Sequence, residues 1–213
     1  MAEREGRPAD AKSAFRVALD KSAAYVVTAP TAGEFWKLLA SRPDWNDLWR
    51  HLGWSLYHQR SFALAEREWR SMLDHHPNDP EANRGLGYAL YALKRYREAI
   101  PPLERAVSAP LPPVRERVEI PGIPGLYEIE SDAMSTLAWS HYHAGELRTA
   151  LRLFRDVTAR RPDWADPWSG LGWTLTKTGD REDAERAFRQ SLAVHPGYPD
   201  AVSGLRTLGK RVP

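Results

Sequence analysis

The stretch LWRHLGWSLY (48–57) returns along the chain as ANRGLGYALY (82–91), AMSTLAWSHY (133–142) and PWSGLGWTLT (167–176). One slot in it holds Gly53, Gly87, Ala138 and Gly172, at spacings of 34, 51 and 34 residues, so the middle interval is one period plus an insertion of 17. A second small residue keeps the register at Ala65, Ala99, Ala150 and Ala184, and a large apolar one at Trp69, Leu103, Phe154 and Phe188. Prolines close the units at Pro43, Pro77, Pro162 and Pro196. Self-similarity at a fixed period predicts an array of identical supersecondary units, each unable to bury its apolar stripe alone.

The pattern resembles the tetratricopeptide repeat, a helix–turn–helix unit of 34 residues with the consensus W-x2-L-G-x2-Y…A-x3-F…P. The first copy matches at Trp49, Leu52, Gly53, Leu56, Ala65, Trp69, Met72 and Pro77, and the last at Trp168, Leu171, Gly172, Leu175, Ala184, Phe188 and Pro196. The middle copies depart from it: Asn83 and Met134 stand in the Trp slot, and His141 in the Tyr slot. The resemblance implies an all-α solenoid of stacked helix pairs. The expected organisation is an N-terminal tail (1–9), a degenerate repeat or groove-filling helix (10–43), repeats at 44–77, 78–111, 131–162 and 163–196, and a capping helix with a tail (197–213). Asp79-Pro80 and Asp166-Pro167 read as N-caps followed by Pro at the first helical position. In the last segment Arg206 takes the place of the template Gly, which suits a cap rather than a further repeat.

The insertion at 112–130 alternates apolar and charged residues (VRERVEI, then LYEI) around Pro121-Gly122 and Pro124-Gly125. It reads as a short β-hairpin, with an irregular proline-rich loop as the alternative. Pro101-Pro102 is expected to kink or delay the second helix of the preceding repeat.

Composition narrows the function classes. Lys+Arg 30 against Asp+Glu 28 leaves a net charge of +2, with no chain-wide basic field for nucleic acid. With no cysteine, thiol catalysis and Cys-based metal sites are excluded. No apolar run reaches the roughly 18–20 residues a membrane span needs, and MAEREGRPADAK lacks the apolar core of a secretory signal. A cytoplasmic protein is the expectation. Walker, Rossmann, nucleophile-elbow and H-E-x-x-H motifs are missing from the sequence, so neither an enzyme nor a bound cofactor or metal is expected. His141 and His143 diverge on a helix, and His141 should be a hydrogen-bonded, buried or half-buried histidine.

Tetratricopeptide arrays bind peptides or helices on the concave face made by the first helix of each unit, at the second, fifth, ninth, twelfth and thirteenth positions. Here the ninth is aromatic throughout: Trp54, Tyr88, Trp139 and Trp173. The twelfth is Tyr57, Tyr91, Tyr142 and Thr176; the fifth is Arg50, Arg84, Ser135 and Ser169; the second is Asp47, Glu81, Asp132 and Asp166. Chaperone-binding members commonly place Asn at the ninth position to clamp a terminal carboxylate, so that ligand class loses support. The candidate groove residues are therefore Arg50, Trp54, Tyr57, Arg84, Tyr88, Tyr91, Trp139, Tyr142, Trp173 and Lys177. They predict an aromatic ladder for a peptide of apolar or proline-rich character. The competing reading has the rings packing among themselves or beneath residues 10–28.

Two other functions stay open at this point. One is a self-assembling subunit that exchanges the insertion or the N-terminal helix. The other is a nucleic-acid binder using outer-face arginines at 67/70, 152/155 and 186/189, although Glu66–Arg70, Glu182–Arg186 and Glu185–Arg189 look like ordinary i,i+4 pairs on a solvated face.

Overall fold

The structure is a computed structural model that describes Val17 and residues 46–109 and 126–212. Every regular element among the described residues is a helix: α1 (Asn46–His58), α2 (Phe62–His75), α3 (Pro80–Ala92), α4 (Tyr96–Ser108), α5 (Leu126–Ala144), α6 (Leu147–Arg160), α7 (Ala165–Thr178), α8 (Arg181–Val194) and α9 (Pro199–Thr207). The chain divides into two compact units between Arg95 and Tyr96, inside the second repeat. In the first unit α2 packs against both α1 and α3; in the second, each helix from α4 to α9 packs on the next.

The slots identified by period make the core. Ala65, Ala99, Ala150 and Ala184 are fully buried, and so are Trp69, Leu103, Phe154 and Phe188. Burying a Trp or Phe ring removes about 150–250 Å² from water, an upper bound of about 4–6 kcal/mol per ring. Glycines create the space for it. A Cβ at Gly53 or Gly85 would overlap the Trp69 indole, and one at Gly172 or Gly204 the Phe188 ring. Each ring is thus clamped between the first helix of its own repeat and the next helix along.

The turn joining the two helices of each repeat passes through the left-handed region at an equivalent residue: Arg60 and Lys94 at φ 61°, Gly145 at 85° and Gly179 at 95°. The Trp slot also has a common chemistry. Trp168 Nε1 donates to the Pro162 carbonyl at 3.0 Å, and buried Asn83 Nδ2 donates to the Pro77 carbonyl at 3.1 Å. A short amide at that slot therefore makes the tie that the indole makes, without filling the same volume. His141 is buried, with Nδ1 2.7 Å from Glu146 Oε2.

Four local expectations are corrected. Leu126–Ile129, the second arm of the expected hairpin, begins α5 and is helical. Four residues are too few to tell period 2 from period 3.6, and these continue a helical run. The rest of the insertion, 110–125, and residues 10–43 apart from Val17 lie outside the described residues. Pro101 and Pro102 do not delay α4, which starts at Tyr96 and runs through them. Having no N–H, neither proline can donate to the carbonyl four residues before it, that of Arg97 or Glu98. Asp166 is not an N-cap, because Trp164 holds that position and Asp166 lies in the first turn of α7, its carboxylate turned to other donors. Arg186 pairs with Asp183 rather than Glu182, the i,i+3 neighbour on the same face.

The C-terminal helix α9 buries Ala201, Gly204 and Leu205. Lys210 pairs with Glu185 at 2.6 Å and Arg181 donates to the Leu208 carbonyl, fastening its end to α8.

Candidate functional site: the first-helix faces

In the first unit, α1 and α3 bring Arg50, Trp54, Tyr57, Arg84 and Tyr88 together. Trp54 Nε1 donates to Glu81 Oε1 at 2.8 Å, reaching from the ninth position of one repeat to the second position of the next. Arg50 pairs with Asp79 and lies 3.4 Å from Glu81. Arg84 Nη2 lies 3.7 Å from Glu81, with its guanidinium carbon 5.1 Å from the Trp54 ring centroid. Glu81 therefore gathers an indole and two guanidinium groups, one of them over the indole, an arrangement worth about 0.5–2 kcal/mol per cation–π contact. Tyr88 stands 6.0 Å from Trp54 and 6.2 Å from Tyr57. Burial pushes the Tyr57 hydroxyl above the usual tyrosine range. Tyr91 is half-buried.

In the second unit the same tie recurs between α5 and α7. Trp139 Nε1 donates to Asp166 Oδ2 at 3.1 Å. Ser135, at the position equivalent to Arg50, donates Oγ–H to the same oxygen at 2.7 Å, and the Tyr198 hydroxyl donates to Oδ1 at 3.1 Å. Asp166 thus joins α5, α7 and the entry to α9 through three neutral donors. Tyr142 packs edge-on to Trp139 at 5.4 Å, and Lys177 Nζ sits 4.0 Å from its ring centroid. Trp173 is half-buried and packs edge-on to Phe188 at 5.4 Å. Its ring meets the core aromatic rather than Trp139 or Tyr142 among the described contacts.

His143 and Tyr96 also belong to this face, although periodicity did not single them out. The imidazole stacks on Tyr96 at 4.3 Å and on Trp139 at 5.9 Å. Burial, and then the Lys177 charge, lower its pKa below the ordinary histidine value. The readable signal was its place one residue past the twelfth-position Tyr. The partner, Tyr96, comes from a second helix, which no repeat pattern connects to that position.

On the outer face, Arg70–Glu66 (2.9 Å) and Arg189–Glu185 (2.7 Å) are ion pairs, while Arg152 and Arg155 are exposed. A cavity of about 300 Å³ there is lined by Arg155, Trp168, Leu171, Leu175 and Arg186 among others. Among the described residues no group of three or more His, Asp or Glu side chains converges as a metal site. None of the described helices is long and apolar enough to cross a membrane.

Known proteins share this architecture. The structure of YrrB, described as a TPR protein with an unusual peptide-binding site, superposes with a TM-score of 0.62 at 20% identity, covering 91% of this chain and 98% of that one. MamA from Desulfovibrio magneticus RS-1 gives 0.59 at 15% identity, over 87% and 97%. The APC/C hetero-tetramer Cut9–Hcn1 gives 0.63 at 14%, over 75% of this chain and 29% of that one. At such identities the likeness is one of fold. No curated protein sequence matches the chain. A family model for the tetratricopeptide repeat matches residues 50–113 and 135–199, more than half of the sequence. The chain belongs to the tetratricopeptide repeat family.

Proposed function

We propose that this protein is a non-enzymatic interaction module that holds a peptide or helical segment of a partner protein on its first-helix faces. The observation carrying this reading is the orientation of the ninth-position tryptophans. Trp54 and Trp139 are half-buried, and each indole N–H is tied to a carboxylate of the following repeat. A ring held in one orientation by its N–H and still partly exposed is a rigid anchor that loses little entropy on binding. Trp54, Trp139 and Trp173 each also pack edge-on to the core ring of their own repeat, which fixes the orientation of the indole. YrrB, similar in fold, is described by its peptide-binding site.

The test is a peptide-library screen against the full chain, followed by titration of the best peptide into Trp139→Ala and Trp173→Ala, with light scattering run on each. Affinity should fall about tenfold or more per anchor, with the mass unchanged. Undiminished binding in both variants, or a library without any ligand, overturns the groove reading.

A further inference from the structure

The ninth-to-second-position tie is made from Trp54 to Glu81 and from Trp139 to Asp166, each acceptor lying 27 residues after its indole. The same step from Trp173 arrives at Asp200, in the first turn of α9. There the tie is not made: among the described residues Trp173 donates no hydrogen bond and Asp200 accepts none from a side chain. Ser169 is fully buried, and its Oγ has no hydrogen-bond partner. Its counterpart Ser135 donates to Asp166, 31 residues on, and the same step from Ser169 also arrives at Asp200. By register, Trp173, Ser169 and Asp200 are the counterparts of the linked trio Trp139, Ser135 and Asp166, and here no hydrogen bond joins them.

The charge of this end differs from that of the first unit. Glu81 has Arg50 and Arg84 beside it, and Arg84 lies over Trp54. In the second unit the fifth-position residues are Ser135 and Ser169, so neither arginine is present. Asp166 receives only neutral donors, and Asp200 has no ion pair among the described residues. Burial, and then the charge of Asp166, push the Asp200 carboxyl up. By register Asp200 stands to Trp173 as Glu81 stands to Trp54, and the guanidinium that lies over the indole and beside the carboxylate in the first unit has no counterpart here.

We infer that Trp173 and Asp200 form a subsite for an arginine side chain of the bound partner segment, its guanidinium over the Trp173 ring and paired to Asp200. This rests on the proposed peptide-binding role and names the partner's chemistry: a segment carrying a cation, where the aromatic ladder alone would ask only for apolar residues. Arg84 on Trp54 and Glu81 is the intramolecular template for the contact. Its planar guanidinium suits an aromatic face and a carboxylate at once, which a citrulline side chain of the same shape, lacking charge, does not.

The experiment uses the full chain labelled with 15N and follows its indole N–H signals by NMR. The probe is N-acetyl-arginine amide, with N-acetyl-citrulline amide as the uncharged control. Saturable movement of the Trp173 signal with the arginine probe is expected, with response to citrulline about tenfold weaker. Asp200→Asn and Asp200→Lys should each abolish the response while leaving the Trp54 and Trp139 signals in place, which also reports that the fold is intact. Equal response to citrulline, survival in either variant, or movement confined to Trp54 or Trp139 overturns the subsite. A library yielding groove peptides without arginine would overturn it too and leave the broader peptide-binding role standing.

Discussion

Replacing Asp166 with Ala should destabilise the second unit by about 2–3 kcal/mol. The carboxylate accepts from Ser135 Oγ at 2.7 Å, Trp139 Nε1 at 3.1 Å and the Tyr198 hydroxyl at 3.1 Å. A hydrogen bond to a charged group is worth about 1.5–3 kcal/mol, and an orphaned buried donor costs about 1–3 kcal/mol. Three such terms do not simply add. Ser135 has an i−4 carbonyl within its own helix to turn to, as Ser140 and Thr174 do. Trp139 and Tyr198 are half-buried and regain water on loss of their acceptor. Removing the Asp166 charge also relieves Asp200, which returns part of the loss. Urea unfolding followed by tryptophan fluorescence and far-UV circular dichroism measures the change. Asp166→Asn, which keeps one acceptor oxygen, should lose about half as much. Combined with Trp139→Phe, Asp166→Ala should fall short of additivity by about 1 kcal/mol, because both changes delete the same hydrogen bond. If Asp166→Ala stays within about 0.5 kcal/mol of the parent, the typical span of neutral surface changes, the carboxylate does not hold these helices together.

Two further outcomes follow from the packing and the charges. Gly172→Ala would gain about 1 kcal/mol from helix propensity at an open site, but here its Cβ runs into the Phe188 ring, so a net loss of about 1–3 kcal/mol is expected; a raised melting temperature would refute the clamp. The His143 pKa is lowered in the folded state, so the unfolded chain binds the proton more readily. Stability should then be fully present above the ordinary value of 6.5 and fall as pH drops from there through the folded pKa. His143→Phe should flatten that slope, and an unchanged pH profile of unfolding in the variant would refute the assignment.

The period alone was enough to place the paired helices, the small residues at their crossings and the rings that fill them. Each of these rests on contacts inside one repeat or with its neighbour, and identical units must meet in identical ways. The aromatic ninth position and the carboxylate second position were equally readable as residues. Their connection was not, because an indole finds its acceptor 27 residues away only once the offset between successive first helices is set. The structure likewise decided that Asp166 lies one turn inside its helix rather than capping it, and that residues 126–130 extend α5. Local pattern leaves both choices open, since a carboxylate beside Pro and a short alternating run fit more than one backbone. The difference between the two units also needed three dimensions. Arg or Ser at the fifth position is a plain substitution in the sequence; only the tertiary neighbours show that in one unit it neutralises Glu81 and in the other it leaves Asp166 and Asp200 without a cation.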